Sequence, residues 1–491
     1  MVAFIITALL GLFIYTVISY IFKTWKERKH GAIPGPFPLP VIGNLHLIGE
    51  DVHKDFVSLS KIYGEVFAIY LGSQRRCVVV SGAKSIKEVL IEKGTHFAGS
   101  PFDQAQDIKV DIATSGFKDL LAADYGPRLK KMRKLFARGL NFQGFNKTTL
   151  EETIIKYADA TIAHLQQPKL LDPTRYVNLG IVNIIMNIVF HTALDFEDPL
   201  FENILEALRQ IFIAIKPGPE DVFPWLKYFP NKNIRNVQEG SRKRSEILEK
   251  FIQEHRHSYK HGTIRDVTDA MIAAEIEEIK NGEEKLDDVT FIQLITDIFS
   301  AGIETSSSTI LWIMLYLANY PKIQAKMREE LVKVDLENLD ADKASVLPYT
   351  HAVIHEGQRL GSVVATMFHK TTRDTSIQGF KVSKNTPVII NFYGGMRDER
   401  VFQDPHEFIP ERWINAEGQY EPSTSAVLAF GAGPRVCPGK SLAVMTVFIF
   451  VSRLVKNFSL DVIEGFENSF DAESGLTLTP KNLKLKISRI D

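Results

Sequence analysis

The sequence predicts a mostly α-helical chain with a small β-sheet region, preceded by one N-terminal transmembrane helix. Three observations carry this. From about Lys118 onward the apolar residues recur at helical spacing. Two short β-like runs, Val66–Tyr70 and Cys77–Val80, flank Gly72-Ser73 and read as a small hairpin sheet. Val2 to Phe22 is apolar and free of charge, about 20 residues and long enough to span a bilayer.

At the amino end, Lys23, Lys26, Arg28 and Lys29 follow the apolar stretch, with Trp25 near the expected interface. A cleaved signal carries its positive charge first and has a shorter apolar core. The reversed order predicts a retained anchor over residues 1–30, with the rest of the chain in the cytosol. Ile33-Pro34-Gly35-Pro36-Phe37-Pro38-Leu39-Pro40 can form neither helix nor inner strand and reads as a stiff spacer. The chain of 491 residues is 45% hydrophobic and can bury a large core. Its 58 Lys and Arg nearly balance 59 Asp and Glu, so the charge points to no nucleic acid. Two cysteines, Cys77 and Cys437, exclude a disulfide framework and any cysteine cluster for a metal.

Further along, Tyr125-Gly126-Pro127-Arg128 introduces a basic helix on which Lys130, Lys134 and Arg138 share a face. Pro217 to Asn231 holds four prolines among Phe223, Trp225, Tyr228 and Phe229, and reads as a structureless stretch. It is either a surface loop or a segment that dips into a membrane. Asp287-Asp288 opens a helix of roughly 30 residues that ends at Asn319-Tyr320-Pro321. Ala301-Gly302-Ile303-Glu304-Thr305 interrupts its middle. Gly302 weakens the helix by about 1 kcal/mol against alanine, and the small residues leave room for a flat ligand. Thr305 can bond a carbonyl one turn back and loosen the helix. Glu356 and Arg359 lie on one helical face, and Pro410-Glu411-Arg412-Trp413 adds a second arginine. His351 and His355 have the spacing of two zinc ligands, but the intervening glutamate of a zinc hydrolase is missing and they read as ordinary helix residues.

The richest stretch is Phe430-Gly431-Ala432-Gly433-Pro434-Arg435-Val436-Cys437-Pro438-Gly439, which leads into an apolar helix. Its glycines and prolines force a tight loop. Pro438 suits a first helical position, which would set Cys437 at a helix N-terminus where a thiolate is favoured. A thiolate held in such a loop is how haem iron takes an axial sulfur ligand.

This loop resembles the haem-binding loop of the cytochrome P-450 superfamily, the haem-thiolate monooxygenases, and the likeness runs from the anchor to the carboxyl end. Phe97-Ala98-Gly99, Ala301 to Thr305 and Ser474-Gly475-Leu476-Thr477-Leu478 look most like the animal microsomal branch, with its steroid, aryl-hydrocarbon and drug-oxidising enzymes. The resemblance implies a single catalytic domain over 31–491 and haem b as cofactor, its iron ligated by Cys437. It implies that Ala301, Gly302 and Phe430 contact the haem and that Arg133, His369 and Arg435 bind its propionates. By the same resemblance Thr305 steadies the oxygen being activated, Glu304 relays protons, and Glu356, Arg359 and Arg412 form a structural lock. The implied partners are NADPH–cytochrome P-450 reductase, docking on the basic helix, and cytochrome b5, at the endoplasmic reticulum membrane. The implied reaction inserts one oxygen atom into a steroid, lipid or aromatic xenobiotic. Expected pocket walls are Ser100 to Asp119, Leu205 to Ile215, Gln293 to Thr305, Val363 to Phe368, and Leu476-Thr477. Two positions depart from the pattern: Leu129 stands where tryptophan is usual, and Ser100 where arginine is usual, which removes two propionate donors. Two rivals stand beside this reading, a haem-thiolate isomerase or dehydratase of oxidised lipids and a non-catalytic haem- or sterol-binding protein.

Overall fold

The computed structural model describes residues 32–72, 75–102, 107–140, 147–165, 170–335, 346–422, 428–466 and 468–490, with isolated positions before residue 32. The anchor expected over 2–22 lies almost wholly outside these. Among the described residues one helix is long and apolar enough to cross a membrane, Asp288–Asn319, and it is mostly buried in the protein.

The principal helices are α1 Val52–Tyr63, α2 Ile108–Ala113, α3 Pro127–Leu140, α4 Thr174–Phe190, α5 Pro199–Ala214, α6 Lys232–Ser258, α7 Val267–Lys280, α8 Asp288–Asn319, α9 Pro348–Gly361 and α10 Lys440–Asn457. The central one, α8, starts where the Asp287 side chain accepts the Thr290 N–H and ends before Pro321. Its residues Leu311, Ile313 and Leu315 are buried on every side, because α4, α9 and α10 all pack on it. Nearly continuous burial in α4, from Gly180 to Met186, makes it the partner that fills the core beside α8.

The main sheet holds β1 Val66–Leu71, β2 Arg75–Val80, β3 Thr366–Lys370 and β4 Pro387–Asn391, in the order β1-β2-β4-β3. The hairpin β1-β2 is antiparallel, with Ile69 opposite Cys77. Beyond the expected hairpin, β4 joins β2 in parallel, with Val79 opposite Ile389, and β3 pairs with β4, with Phe368 opposite Ile389. A second hairpin, β5 Ala472–Ser474 and β6 Leu478–Pro480, lies near the carboxyl end. The stretch expected to be structureless instead forms short helical turns over Pro219–Val222 and Pro224–Tyr228. Prolines at their first positions set φ and start each turn.

Candidate functional site

The cysteine loop is tighter than its sequence suggests. Gly431 and Gly433 adopt left-handed φ values of 65° and 66°. A Cβ on Gly433 would lie 2.0 Å from the Leu90 carbonyl oxygen, so only glycine fits there. The loop closes where the Cys437 N–H donates to the Phe430 carbonyl at 2.9 Å. The helix begins at Lys440 with Gly439 as its cap, so Pro438 precedes the helix and Cys437 sits three residues ahead of it. The half-buried thiol still gains from that end. Burial pushes its pKa up, while the Gly439 N–H, Arg133 and Lys440 pull it down, and burial wins. Phe430 carries the Lys440 ammonium 5.9 Å over its ring.

Arg133 donates to the Val436 carbonyl at 2.7 Å, one residue from the cysteine. Arg435 donates to the carbonyls of Ala98, Leu120 and Ala123 at 2.8, 3.1 and 2.6 Å. Among the described residues no carboxylate pairs with it, and burial lowers its pKa to about 10 against the more distant charges of Asp124 and Asp119. His369, on β3, is 5% exposed, and its Nδ1 has no hydrogen-bond partner among the described residues. Burial and the nearby Arg435 charge lower its pKa to about 3, so the imidazole is neutral. Ser100 also carries a buried Oγ without a partner among the described residues, while its N–H donates to Asp124 at 2.9 Å. Leu129 is 1% exposed and belongs to the apolar core.

On α8, Ala301 is exposed in the middle of a buried helix, and Glu304 and Thr305 are partly exposed. Exposure inside a core means open space beside that turn. Gly302 faces elsewhere: a Cβ on it would meet Ile185 of α4 at 3.0 Å. The Thr305 hydroxyl donates to the Ala301 carbonyl at 2.6 Å, and the Thr309 hydroxyl to the Thr305 carbonyl at 2.7 Å. Glu304 accepts one long hydrogen bond from the Thr477 hydroxyl, at 3.4 Å. Burial raises its pKa and favours the protonated acid.

The five wall segments meet. Leu476 N–H donates to the Phe212 carbonyl and Leu478 N–H to the Val363 carbonyl, each at 2.8 Å. The Ser115 hydroxyl donates to Gln293 at 3.2 Å, and the rings of Phe102 and Phe368 lie 6.4 Å apart. Two polar groupings here escape a reading by motif. Lys109, fully buried on α2, sits 2.6 Å from Glu220 and 3.0 Å from Asp221, tying α2 to the Pro219 turn. Asp297, one turn before Ala301, accepts from the Leu120 N–H at 2.9 Å and from Gln293 at 3.1 Å. Burial lifts its pKa to about 6. The only signal for either was a charge within an apolar helical run.

Glu356 and Arg359 are wholly buried and joined by two bonds of 2.8 and 2.9 Å. Arg412, Trp413 and the Ile409 N–H also donate to Glu356, at 3.0, 2.9 and 3.1 Å. Arg359 further donates to the Met396, Pro405 and Glu407 carbonyls. The two helix histidines sit in aromatic stacks, His351 on Phe448 at 4.5 Å and His355 on Trp413 at 4.6 Å. The basic face of α3 is partly taken up within the molecule: Lys134 pairs with Glu283 at 3.0 Å, and Arg138 with Glu277 at 3.5 Å.

These residues fit a haem. The loop offers a sulfur that already receives an N–H, the central helix has open space at Ala301, and Arg133, Arg435 and the orphaned Nδ1 of His369 suit two carboxylates. The sequence matches the cytochrome P450 family over residues 33–487. Steroid 17-alpha-hydroxylase/17,20 lyase of Rana dybowskii is 34% identical over 465 residues, covering 90% of this chain and 88% of its own length. The enzyme of that name from Squalus acanthias is 30% identical over 502 residues, covering 99% and 95%. Cytochrome P-450 1A1 of Macaca fascicularis is 29% identical over 491 residues, covering 96% and 95%. A cysteine loop turned by two left-handed glycines and a match along almost the whole chain lead to one conclusion: the protein belongs to the cytochrome P-450 family of haem-thiolate monooxygenases.

Proposed function

We propose that the protein inserts one oxygen atom of O2 into a hydrophobic small molecule, a steroid, lipid or aromatic xenobiotic, with Cys437 as the residue that would hold the iron of haem b. The observation that carries this is the Cys437 sulfur, set in a closed loop against the Gly439 N–H and the charges of Arg133 and Lys440. Bound there, thiolate-ligated haem supplies an electron-rich iron that favours cleavage of the O–O bond.

The chain's own groups do the rest. Arg133 and Arg435 now bond only to neutral carbonyls, so each can turn a spare N–H to a propionate with a gain of about 1–3 kcal/mol. A carboxylate near His369 would draw its pKa up from about 3 and make Nδ1 a donor. Ala301 leaves space at the middle of α8, and the side of Gly302 that faces Ile185 keeps α8 close to α4. The Thr305 hydroxyl, parked on the Ala301 carbonyl, is within a rotamer change of the open space and can donate there. Glu304, whose pKa burial raises, is the matching proton source. The wall segments are largely apolar, which suits a hydrophobic substrate. Glu356, Arg359 and Arg412 hold the fold and take no part in the chemistry.

Electrons come from NADPH through NADPH–cytochrome P-450 reductase, with cytochrome b5 as a second donor. Because Lys134 and Arg138 are engaged within the molecule, Lys130, Lys131 and Lys440 carry the docking charge. Residues 1–30 anchor the catalytic domain, 31–491, to the cytosolic face of the endoplasmic reticulum. Trp225, Tyr228 and Phe229, exposed by 56%, 79% and 60%, suit a second contact with that membrane. The test is turnover with NADPH and reductase on substrates chosen by type-I spectral titration against sterols, fatty acids and polycyclic aromatics. Product containing one atom of labelled dioxygen supports the reading. Conversion of an oxidised lipid without reductase would overturn it in favour of an isomerase.

A further inference from the structure

A second cavity, of about 250 Å³, lies between α1, the carboxyl half of α8, the end of α9 and β5. It is lined by His53, Lys54, Trp312, Tyr316, Tyr393 and Arg397 among others, and shares Leu478 with the edge of the wall segments above. Its volume matches about eight waters and falls below the range of drug-sized pockets.

Arg397 sets its character. The guanidinium donates to the Ser362 hydroxyl at 2.7 Å and to the Leu360 carbonyl, and it lies 3.7 Å from the centre of the Tyr393 ring. All of these partners are neutral. Among the described residues no carboxylate pairs with Arg397, whereas neighbouring Arg359 has Glu356. Lys54, at the cavity's other edge, is neutralised by Asp51 at 2.9 Å and lies 3.9 Å from Asp471. The half-buried guanidinium carries its charge there without a paired anion. Its two fixed bonds hold it in place, and its remaining N–H donors are spare.

The other polar groups add to it. His53 is 4% exposed and Tyr316 6%, and neither they nor Tyr393 make a side-chain hydrogen bond among the described residues. These groups line the cavity without a side-chain partner among the described residues, so they are available to a ligand. The walls fix its shape. Tyr316 stacks between Phe408 and Phe470 at 5.0 and 5.2 Å, Trp312 lies 6.1 Å from Tyr316, and the His53 and Tyr393 rings meet edge-on at 4.6 Å.

We propose that this cavity is a binding site for a small organic anion with a single flat ring, such as an aryl carboxylate or aryl sulfonate. Arg397 takes the anionic oxygens, Tyr316 and Tyr393 add hydroxyl donors, and the ring lies against the aromatic wall. The site is separate from the haem pocket and goes beyond the monooxygenase reading, since it requires nothing of Cys437.

The probe is 4-methylbenzenesulfonate, titrated by calorimetry into the holoenzyme after an iron-ligating azole has filled the haem pocket. Binding should persist with the azole present and weaken by about tenfold or more in Arg397→Gln, as expected for loss of a charge-assisted bond. Toluene, with the same ring and no charge, should bind at least about tenfold more weakly. Because Arg397 also holds the Leu360 turn, Ala472→Trp serves as a second variant: it fills the cavity from β5 and leaves Arg397's bonds alone. It should abolish binding. No binding to the wild type, binding lost to the azole, or binding undiminished in Ala472→Trp would each overturn the proposal.

Discussion

Glu356 accepts five hydrogen bonds from four residues, whereas Glu304, on the central helix, accepts one long bond from Thr477. Burial acts on both acids, wholly on Glu356 and partly on Glu304, and their pKa values move in opposite directions. For Glu356 burial acts upward, but the bonds and charge of Arg359 and the charge of Arg412 outweigh it, so the pKa falls and the carboxylate persists. For Glu304 burial, joined by the charge of Glu473, outweighs the Thr477 bond and the Arg209 charge, so the pKa rises. The first arrangement ties α9 to the turn of Ile409, Arg412 and Trp413. The second leaves an acid able to give up a proton, beside a hydroxyl bonded only to its own helix. On the proposed function, satisfied groups build the frame and under-satisfied groups are left for the chemistry.

The sharpest way to break this comparison is to exchange the two acids for amides. Glu356→Gln strands buried Arg359 and should cost about 3–5 kcal/mol, enough to leave little folded holoprotein. Glu304→Gln should fold, bind haem normally and lose proton delivery, seen as a lower ratio of product to NADPH consumed. Urea unfolding and haem content of both proteins decide it; equal damage from the two would end the distinction. Thr305→Ala comes next. It should raise peroxide release several-fold relative to product while stability changes by about 1 kcal/mol or less. Unchanged coupling would assign the proton handling to Glu304 alone.

A third test uses acid. Burial lowers the His355 pKa from 6.5 to about 4, so the unfolded chain takes up a proton that the fold refuses. Its contribution is therefore present above pH 6.5 and is lost as pH falls toward 4. At pH 5 the loss from this one group is about 2 kcal/mol. His355→Phe keeps an aromatic ring on Trp413 and should flatten the stability profile between pH 7 and 5, measured by urea midpoints. A profile as steep as that of the wild type would remove His355 from the account. The smallest effect concerns the departures at Ser100 and Leu129. Ser100→Arg would add a guanidinium beside Asp124, which already takes the Ser100 N–H and Lys370, so it should slow haem transfer to apomyoglobin only a few-fold. Leu129→Trp enters a packed core at a cost of about 1–3 kcal/mol and should slow haem loss less, or not at all. If neither single variant slows loss, the remaining donors already satisfy the propionates.

Much of this was legible because the informative residues are local. The cysteine loop, the ends of α8 and the Glu356-Arg359 spacing each sit within one stretch of chain, where glycine, proline and helical period act directly. What joins distant stretches was not. The parallel pairing of β2 with β4 spans some 310 positions and leaves no mark on either strand. Lys134 and Arg138 look free in the sequence, because nothing near them shows that Glu283 and Glu277 fold back on them. Gly302 illustrates a subtler limit: the sequence says that the position is small, and only packing says that one side of it faces Ile185. Arg397 appears in no motif, and its lack of a carboxylate is visible only once its neighbours are assembled.

The central claim is that Cys437 ligates the haem iron as a thiolate, and the ferrous–carbon monoxide spectrum tests it directly. The wild type should show the red-shifted Soret band of thiolate ligation, and Cys437→Ser should lose that band. A band that survives in Cys437→Ser, or a wild type that never shows it, would contradict the account.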